Sequence, residues 1–266
     1  MSEPKRSKAS GVSEPRRGRG SVERGESRGP DLQLSVVIPA YNEAPRLEPT
    51  LRRVIEFCRA ARPSYELLVV DDGSTDGTAG LARRVGLECP ELHVIELGGN
   101  RGKGAAVRAG MLAATGRHIL FSDADLATPI EELDKLERHL AEGNDIAIAS
   151  RALPGADIRV RQHPLRELMG RSFNLMVRLA AIGGIRDTQC GFKLFTREAA
   201  HDLFARAAVD GFAFDVEILW LARGRYRVAE VPVVWSHVEE SKVSPGSDAA
   251  RMFLDLLRIR WRHRRG

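Results

Sequence analysis

The chain has 266 residues, of which 43% are hydrophobic and 29% charged, a composition typical of a folded, water-soluble protein with one large domain or two small ones. No run approaches the roughly eighteen apolar residues that span a bilayer, and the N-terminus lacks the apolar core of a secretory signal. We therefore expect neither a membrane-spanning nor a secreted protein. The cysteines Cys58, Cys89 and Cys190 show no metal-ligand spacing, and we expect them to be reduced in a cytoplasmic protein.

The net charge of +5 is concentrated at the two ends of the chain. Residues 1–30 hold eight Lys or Arg against four Glu, and residues 248–266 hold six Arg against two Asp, which leaves the middle at −3. Residues 1–30 are almost all Ser, Gly, Pro, Arg, Lys and Glu, which predicts a disordered basic tail. The tail has no aromatic residue to stack on a base, so we favour contact with anionic lipid and expect no nucleic-acid partner. The alternative, nucleic-acid binding by both basic ends, predicts salt-sensitive retention on DNA.

Residues 31–247 are predicted to form one α/β domain, because short apolar runs rich in Val and Ile alternate with helix-like stretches. Continuous apolar strands between helices indicate a mostly parallel central sheet with helices on both faces. Ligands of such sheets bind beyond the carboxyl ends of the strands. In chain order the predicted elements are LQLSVVIPA, helix 46–61, YELLVVDD, helix 76–86, LHVIELG, helix 103–114, RHILFSDAD, helix 130–142, NDIAIASR, helix 164–182, TQCGFKLFT, helices 196–206 and 214–223, YRVAEVPVVW, and a basic amphipathic helix over 248–266.

The run RHILFSDADLATP, residues 117–129, ends a predicted buried strand with two carboxylates. On an extended backbone Asp123 and Asp125 point the same way, with Cα atoms about 6.5 Å apart, and like charges so placed raise each other's pKa. A Mg²⁺ or Mn²⁺ ion that also binds phosphate oxygens would offset this repulsion. The alternative is a solvated turn in which Asp125 caps the helix near residue 130.

A second acidic motif, VVDDGSTDGT, ends the second predicted strand at residues 69–78. Turn formation and capping of the next helix explain most of its residues, but a cap needs one acid and here Asp71 and Asp72 are adjacent. A carboxylate at this edge can accept hydrogen bonds from a base N–H or a ribose hydroxyl.

A glycine-rich motif, GGNRGKGAAVRAG at residues 98–110, indicates anion binding at a helix N-terminus with Lys103 and Arg108 as cations. It is not a P-loop, because Leu97 stands where the first glycine is needed and Gly104 where Ser or Thr is needed. Taken together, the three motifs fit a nucleoside-diphosphate site with a metal ion.

The motifs occur in the order that is typical of family 2 glycosyltransferases with the GT-A fold, and over residues 33–262 the chain resembles this family. Within it the chain is most similar to the dolichyl-phosphate and polyprenyl-phosphate β-glucosyltransferases. NRGKG, DTQCGFKLF and FDVE are the segments most specific to that lipid-phosphate subgroup. The full set is SVVIPAYNEAPRL, VVDDGSTDGT, NRGKGAAVRAG, FSDADLATP, ASRA, DTQCGFKLFTREAA, FAFDVEILWLA and VAEVPVVW.

The resemblance implies a UDP-glucose donor, a polyprenyl phosphate acceptor and a bound Mg²⁺ or Mn²⁺. It places the Asp71 carboxylate on the uracil edge and Lys103 near the diphosphate, and it favours Asp125 as the direct metal ligand. The implied nucleotide-sugar residues are Pro39, Tyr41, Glu43, Asp71, Lys103, Asp123 and Ala124. The implied metal ligands are Asp123 and Asp125, and the implied catalytic residues are Asp125, Asp215 and Glu217. The implied acceptor-phosphate residues are Ser150, Arg151 and Lys193, and Asp187 and Gln189 share the far wall of the site.

A phosphate acceptor needs cations around it more than a general base, because it is already anionic near neutral pH. The candidates are Arg151, Arg161, Arg166 and Arg171, and for each the alternative is a solvated helix face. For Asp215 and Glu217 the alternative is a salt bridge or a helix cap.

The last predicted helix combines apolar side chains with a high arginine content. A basic amphipathic helix can lie in a membrane interface, and the alternative is a core-packing helix with a solvated end. Contact with a lipid acceptor predicts a cytoplasmic protein that is peripheral on the cytoplasmic face of a membrane. The apolar residues are Met252, Phe253, Leu256, Leu257, Ile259 and Trp261, and the charged ones are Arg251, Arg258, Arg262, Arg264 and Arg265.

We therefore expect an inverting transfer of glucose from UDP-glucose to a polyprenyl phosphate. Three alternatives are open at this point. They are transfer of another hexose such as mannose, transfer to a soluble hydroxyl with Asp215 or Glu217 as base, and nucleotide-sugar binding without turnover.

Overall fold

A computed structural model of the chain describes residue 1 and residues 32–160, 184–236 and 247–263. The strands are β1 Leu34–Ala40, β2 Tyr65–Asp71, β3 Leu92–Glu96, β4 His118–Ser122, β5 Ile146–Ser150, β6 Asp157–Val160, β7 Phe192–Thr196, β8 Val228–Pro232 and β9 Val234–Ser236. The described residues from 32 onward belong to one unit, whose centre is a seven-stranded sheet in the order β3-β2-β1-β4-β7-β5-β8. A second sheet pairs β6 with β9.

Helices cover both faces of the large sheet, as the alternation of apolar runs and helical stretches predicts. The helices are α1 Ala44–Ala61, α2 Thr78–Gly86, α3 Lys103–Ala113, α4 Leu133–Ala141 after a 3₁₀ turn at Ile130–Glu132, α5 Arg197–Arg206, α6 Phe214–Ala222 and α7 Ser247–Arg262. The side chains of the sheet divide into two apolar clusters, one packed with α1 and α4 and the other with α3, α5 and α6.

The prediction of a mostly parallel sheet is confirmed, with one exception that shapes the site. β7 runs antiparallel to both β4 and β5, and its first residue, Phe192, pairs with Ser122 at the end of β4. Because β7 begins where β4 ends, the segment that precedes β7 lies at the same sheet edge as the Asp123–Asp125 motif. All the polar motifs therefore reach one edge.

Two details of the second half differ from the prediction. YRVAEVPVVW is not one strand: β8 pairs with β5 as far as Pro232, and β9 then pairs with β6, a short strand that the sequence pattern does not predict. Proline has no N–H to donate to a ladder, which suits a change of sheet at this point. The predicted helix 164–182 lies outside the described residues, as do Arg161, Arg166 and Arg171.

Candidate active site

The adjacent acids at the end of β2 do different things, although both are buried. Asp72 holds the glycine-rich loop, since its Oδ1 accepts the Arg101 N–H at 2.7 Å and its Oδ2 accepts the Gly102 N–H at 2.9 Å. Asp71 Oδ2 accepts the Ser74 N–H at 3.0 Å, while its Oδ1 is buried with no hydrogen-bond partner among the described residues. A buried carboxylate oxygen without a donor is costly, so a donor on a ligand would complete it.

The loop after β1 is joined to the loop after β2. Asn42, with φ of +52°, donates its N–H to Ser74 Oγ at 2.9 Å and accepts the Thr75 N–H at 2.8 Å. This frame carries the next two predicted side chains, with Tyr41 37% exposed and Glu43 forming an ion pair with Arg46. Pro39 is buried within β1. Two of the predicted nucleotide residues, Tyr41 and Glu43, thus lie on one loop beside Asp71, and Pro39 lies in the strand that leads to it.

Where α3 begins in the glycine-rich motif, the N–H groups of Gly104 and Ala105 are already bonded within the protein, which changes the interpretation of this segment. The carbonyl oxygen of Asp210 accepts the N–H groups of Gly104 at 2.7 Å and Ala105 at 3.3 Å, so it occupies the N-terminus of α3. A Cβ at Gly104 would lie 2.4 Å from the Val209 carbonyl oxygen. The glycine is therefore needed for close packing of residues 209–211, and the cation of Lys103 is what the motif offers to an anion.

Lys103 projects from the first residue of α3 onto the Asp123–Asp125 motif. Its Nζ lies 2.7 Å from Asp123 Oδ1 and 5.5 Å from the centre of the Phe121 ring. Burial opposes the charge of Lys103, but the carboxylates of Asp123 and Asp215 hold its pKa above the usual value. The lysine is thus the cation that balances the acidic motif in this structure.

The two acids of the motif are only partly enclosed, with the Asp123 side chain 31% exposed. Asp125 Oδ1 accepts the Ala127 N–H at 3.0 Å, and burial together with the charge of Asp123 raises the Asp125 pKa. Ala124 between them is buried, and its carbonyl oxygen accepts the Thr50 hydroxyl at 2.7 Å. Hard oxygen ligands that repel each other are the set that Mg²⁺ or Mn²⁺ suits.

The position of Asp123 depends on a glycine that the sequence reasoning did not single out. Gly191, just before β7, accepts the Asp123 N–H at 2.9 Å. A Cβ at Gly191 would lie only 1.9 Å from Asp123 Oδ2, so any other residue would push this carboxylate aside. Gly191 lies in the motif DTQCGFKLF, which the sequence does show. The contact between Gly191 and Asp123 could not be seen there, because it depends on the direction of β7.

Lys193 and Asp215 form a buried ion pair between β7 and the first turn of α6. Lys193 Nζ lies 2.5 Å from Asp215 Oδ1 and donates to the Cys190 carbonyl oxygen at 2.6 Å. Burial raises the Asp215 pKa against the opposing effects of Lys193 and Lys103. Lys193 is 1% exposed, so the structure places it behind the site rather than on an open acceptor surface.

Arg151 lies at the end of β5 in a bidentate pair with Asp187, at 2.7 and 2.9 Å. Burial opposes the Asp187 charge, but the Arg151 guanidinium beside it holds the pKa of that carboxyl below its usual range. Glu230 on β8, absent from the predicted residues, accepts the Ser150 hydroxyl at 2.6 Å and the Asp187 N–H at 2.8 Å. The predicted pair Ser150–Arg151 is thus part of a network that Glu230 completes.

Glu217 is not brought together with Asp215. Residues two apart on a helix point to nearly opposite sides. Glu217 is buried, and its Oε2 accepts the N–H groups of Ala208 and Val209 at 2.9 and 2.7 Å, while its Oε1 lies 2.9 Å from His263 Nε2. These contacts give Glu217 a structural part, of the ion-pair kind expected as the alternative. Gln189 precedes β7, and its Nε2 is buried without a hydrogen-bond partner within the described chain.

The chain is similar to known proteins of one family. The model of the family described as glycosyl transferase family 2 matches residues 35–204. The chain is 43% identical over 246 residues to a dolichyl-phosphate beta-glucosyltransferase of Drosophila melanogaster, covering 86% of this chain and 75% of that protein. It is 40% identical over 253 residues to a protein of the same name from Homo sapiens, covering 89% of this chain and 78% of that protein.

The chain belongs to glycosyl transferase family 2.

Solved structures of glycosyltransferases share the fold. Mannosyl-3-phosphoglycerate synthase from Rubrobacter xylanophilus superposes with a TM-score of 0.63 at 21% identity, over 88% of this chain and 74% of that one. Glucosyl-3-phosphoglycerate synthase from Mycobacterium tuberculosis, solved with Mn²⁺, UDP-glucose and phosphoglyceric acid, gives 0.62 at 21% identity, over 86% and 79%. The expected GT-A fold of this family 2 glycosyltransferase is thereby confirmed.

Two features are absent from the described residues. None of the helices in these ranges is long and apolar enough to cross a membrane. Nor do three or more His, Cys, Asp or Glu side chains within them converge as a ready-made metal cage. An ion at Asp123 and Asp125 would therefore draw its remaining ligands from elsewhere, as Mg²⁺ does when it binds substrate phosphates.

Proposed function

We propose that this family 2 glycosyltransferase transfers glucose from UDP-glucose to a polyprenyl phosphate of the dolichyl type. The product is a β-linked polyprenyl phosphate glucose, and UDP is released. The observation that carries the proposal is the identity of 39–43%, over 86–90% of the chain, to proteins named dolichyl-phosphate beta-glucosyltransferase.

The donor end of the site supports UDP-glucose. Asp71 Oδ1 is a buried acceptor without a protein donor in the described chain, which suits an N–H of a uracil ring. Tyr41 and Glu43 lie on the adjoining loop, and we propose that they border the nucleoside. Lys103 is placed to turn from Asp123 toward a diphosphate, because its stem is flexible and its ion pair with Asp123 is partly exposed.

Asp123 and Asp125 would hold Mg²⁺ or Mn²⁺ in this proposal. The fit rests on their hard oxygen ligands and on the closeness of the two carboxylates, since burial and then the charge of Asp123 raise the Asp125 pKa. When bound, the ion would neutralise charge on the departing diphosphate.

The reaction needs little proton transfer. An acceptor phosphate oxygen attacks C1 of glucose from the side opposite UDP, the new C1–O bond forms, and the electron pair of the old C1–O bond leaves with UDP. The second pKa of a phosphate monoester is about 6. The acceptor phosphate is therefore an anion near neutral pH and needs no general base to attack. Arg151, whose side chain is 27% exposed, is the member of the Ser150–Arg151–Lys193 set best placed to face that anion. We propose that Asp215 acts through its pair with Lys193, as a fixed charge behind the metal site.

A soluble hydroxyl acceptor would instead require a base. Asp215 is already bonded to Lys193, and Glu217 is bonded to Ala208, Val209 and His263. The phosphoglycerate synthases share the fold at 21% identity, which carries no acceptor assignment.

The test is to incubate the purified protein with Mg²⁺, radiolabelled UDP-glucose and a short polyprenyl phosphate, and to follow label into the organic phase. Parallel reactions replace the donor with GDP-mannose or the acceptor with 3-phosphoglycerate. We expect labelled product in the organic phase when the donor is UDP-glucose and the acceptor is the polyprenyl phosphate, and in neither of the parallel reactions. Label that reaches only a water-soluble glucoside would overturn the lipid acceptor, and equal transfer from GDP-mannose would overturn the donor assignment.

A further inference from the structure

The C-terminal helix α7 has two apolar sides, and only one of them is used by the fold. Leu256 and Ile259 are 6% and 2% exposed within the core cluster shared with α6. Leu254, Leu257 and Trp261 are 50%, 52% and 81% exposed. Thus each of the two alternatives expected for this helix, core packing and an outward apolar face, describes one side of it.

Leu254, Leu257 and Trp261, which we call the outer stripe, follow one another at spacings of three and four residues. Such residues lie on one face of an α-helix. Elsewhere in the described chain the large hydrophobic residues that are exposed are Met1, Tyr41, Leu87 and Leu112. The outer stripe therefore concentrates exposed apolar surface on a single helix.

Positive charge borders the outer stripe. Arg258, Arg260 and Arg262 are exposed on the same two turns, and residues 248–266 hold six Arg against two Asp. One of these acids, Asp255, is already bonded to Arg258 at 2.9 Å. Apolar side chains flanked by arginines, with a tryptophan at one end, complement an anionic lipid surface in both charge and polarity.

α7 is anchored to the domain through residues outside the outer stripe. His263, at the end of α7, contacts Glu217 on α6. Asp255 Oδ2 lies 3.6 Å from the Cβ position at Gly211, in the segment that closes the N-terminus of α3. A membrane that binds the outer stripe would therefore hold the rest of the domain as well.

We propose that the outer stripe docks into an anionic phospholipid membrane, with α7 lying in the interface plane and its three apolar side chains among the acyl chains. The inference rests on the proposed function only in supplying a reason for the protein to meet a membrane. Its test measures lipid binding and needs no turnover.

The experiment is flotation of the full chain with vesicles of phosphatidylcholine containing phosphatidylglycerol, and with phosphatidylcholine alone. We expect binding to the anionic vesicles and a loss of about tenfold or more in the triple variant Leu254→Gln, Leu257→Gln and Trp261→Gln, because each large apolar side chain returned to water weakens partitioning by roughly that order. The triple variant keeps both basic ends, so a loss in it comes from the apolar side chains. Its thermal unfolding midpoint should match the wild type, since these side chains are exposed.

Leu87→Gln is the matched control, because Leu87 is 86% exposed on a different element. It should bind vesicles as the wild type does. Replacing both Arg258 and Arg262 by Gln should weaken binding to anionic vesicles about 25-fold, which is roughly fivefold for each charge. In addition, the Trp fluorescence of the wild type should shift to shorter wavelength on vesicle binding, and Trp261→Phe should bind without that shift.

Equal flotation of the triple variant and the wild type would overturn the proposal, and so would a wild type that does not float. A wild-type dimer in lipid-free sedimentation that the triple variant abolishes would also overturn it, in favour of a second copy of the chain as the occupant. Failure of the proposed function is seen separately. In that case neither protein would glucosylate a short water-dispersed polyprenyl phosphate, whatever the flotation result.

Discussion

The two sides of the site differ in how completely their polar groups are already bonded. On the donor side, formed by the ends of β1, β2 and β4, Asp71 keeps a buried oxygen without a partner in the described chain, and Asp123 and Asp125 are part-exposed. On the proposed acceptor side, formed by β5, β7, β8 and the start of α6, most polar groups bond one another in two sets, Lys193–Asp215 and Ser150–Arg151–Asp187–Glu230. Gln189 Nε2, buried without a partner in the described chain, is an exception.

Charged motifs that look alike in the sequence therefore serve two purposes, ligand binding and support of the site walls. Groups with unused bonding capacity are available to a ligand, whereas mutually bonded groups hold the walls in place. Substitutions of donor-side groups with unused bonding capacity should therefore lower activity with little effect on stability, and substitutions of mutually bonded groups should lower stability first.

The largest expected effect is on the acceptor side. Lys193→Met should lower the free energy of unfolding by about 3–5 kcal/mol, because it leaves the Asp215 charge buried without its partner. Urea unfolding measures this. Arg159→Met is the control, since Arg159 and its partner Asp157 are 63% and 57% exposed and the change should cost at most about 1 kcal/mol. Adding Asp215→Leu to Lys193→Met should recover most of the loss, and no recovery would mean that the ion pair is not its source.

Asp125→Asn is the corresponding change on the donor side. We expect the rate of glucose transfer to fall about 100- to 1000-fold, because the leaving diphosphate loses electrostatic stabilisation, while the unfolding free energy stays unchanged. Initial rates and urea unfolding of the same preparation check both statements. Asp134→Asn, an exposed carboxylate on α4, serves as the control. Retained activity would contradict the metal assignment.

Gly191→Ala tests how the two sides meet. The added methyl group would displace the Asp123 carboxylate, and we expect about 100-fold slower transfer, as for other small misplacements of a reacting group. Gly224→Ala has open space around its Cβ but a positive φ, so it controls for loss of a glycine in general. If Gly191→Ala transferred glucose at nearly the wild-type rate, the position of the Asp123 carboxylate would not matter for the reaction.

Asp71→Asn should raise the KM for UDP-glucose about tenfold without lowering stability, since the oxygen it changes has no protein donor in the described chain. Asp72→Asn is the matched comparison from the next position. It should lower the free energy of unfolding by about 1–3 kcal/mol, because both Asp72 oxygens hold backbone N–H groups. Equal effects of the two substitutions on KM and stability would contradict the division of labour between these acids.

The smallest expected effect is a pH dependence of stability on the acceptor side. The Asp187 pKa is lowered in the folded protein, so its contribution to stability is present above its unfolded pKa of about 3.9 and is lost as the pH falls through the folded pKa. Unfolding free energies measured from pH 7 down to acid should therefore fall less steeply in Asp187→Asn than in the wild type. Asp157→Asn, in an exposed pair with Arg159, should leave the slope unchanged.

The central sheet could be predicted because its strands are buried on both faces and so appear as continuous apolar runs. β1 and β2 have every residue buried, which is why LSVVIPA and YELLVVD are recognisable without a partner. β6 and the break after Pro232 could not be predicted, because a strand of three or four residues carries too little pattern and its pairing is set by a neighbour 70 residues away or more. The antiparallel direction of β7 depends on the chain path and not on local sequence.

The candidate site was predictable in position and only partly in role. Motifs at strand ends converge whenever the strands are parallel, which brought Asp71, Lys103, Asp123 and Asp125 to one edge. The separate roles of Asp71 and Asp72, and the structural part of Glu217, depend on contacts with residues 101–102 and 208–209 that are distant in sequence. Burial of a charge with its partner is a property of the fold, and no local pattern reports it.

The Arg151–Asp187 pair also determines how the end of β5 is oriented. Its two hydrogen bonds, at 2.7 and 2.9 Å, fix the plane of the guanidinium group as well as its distance from the carboxylate. The end of β5 and the segment before β7 are therefore held in one relative orientation at the sheet edge. A lysine at position 151 could not form two parallel hydrogen bonds, so it would keep the charge at this edge but lose the fixed orientation.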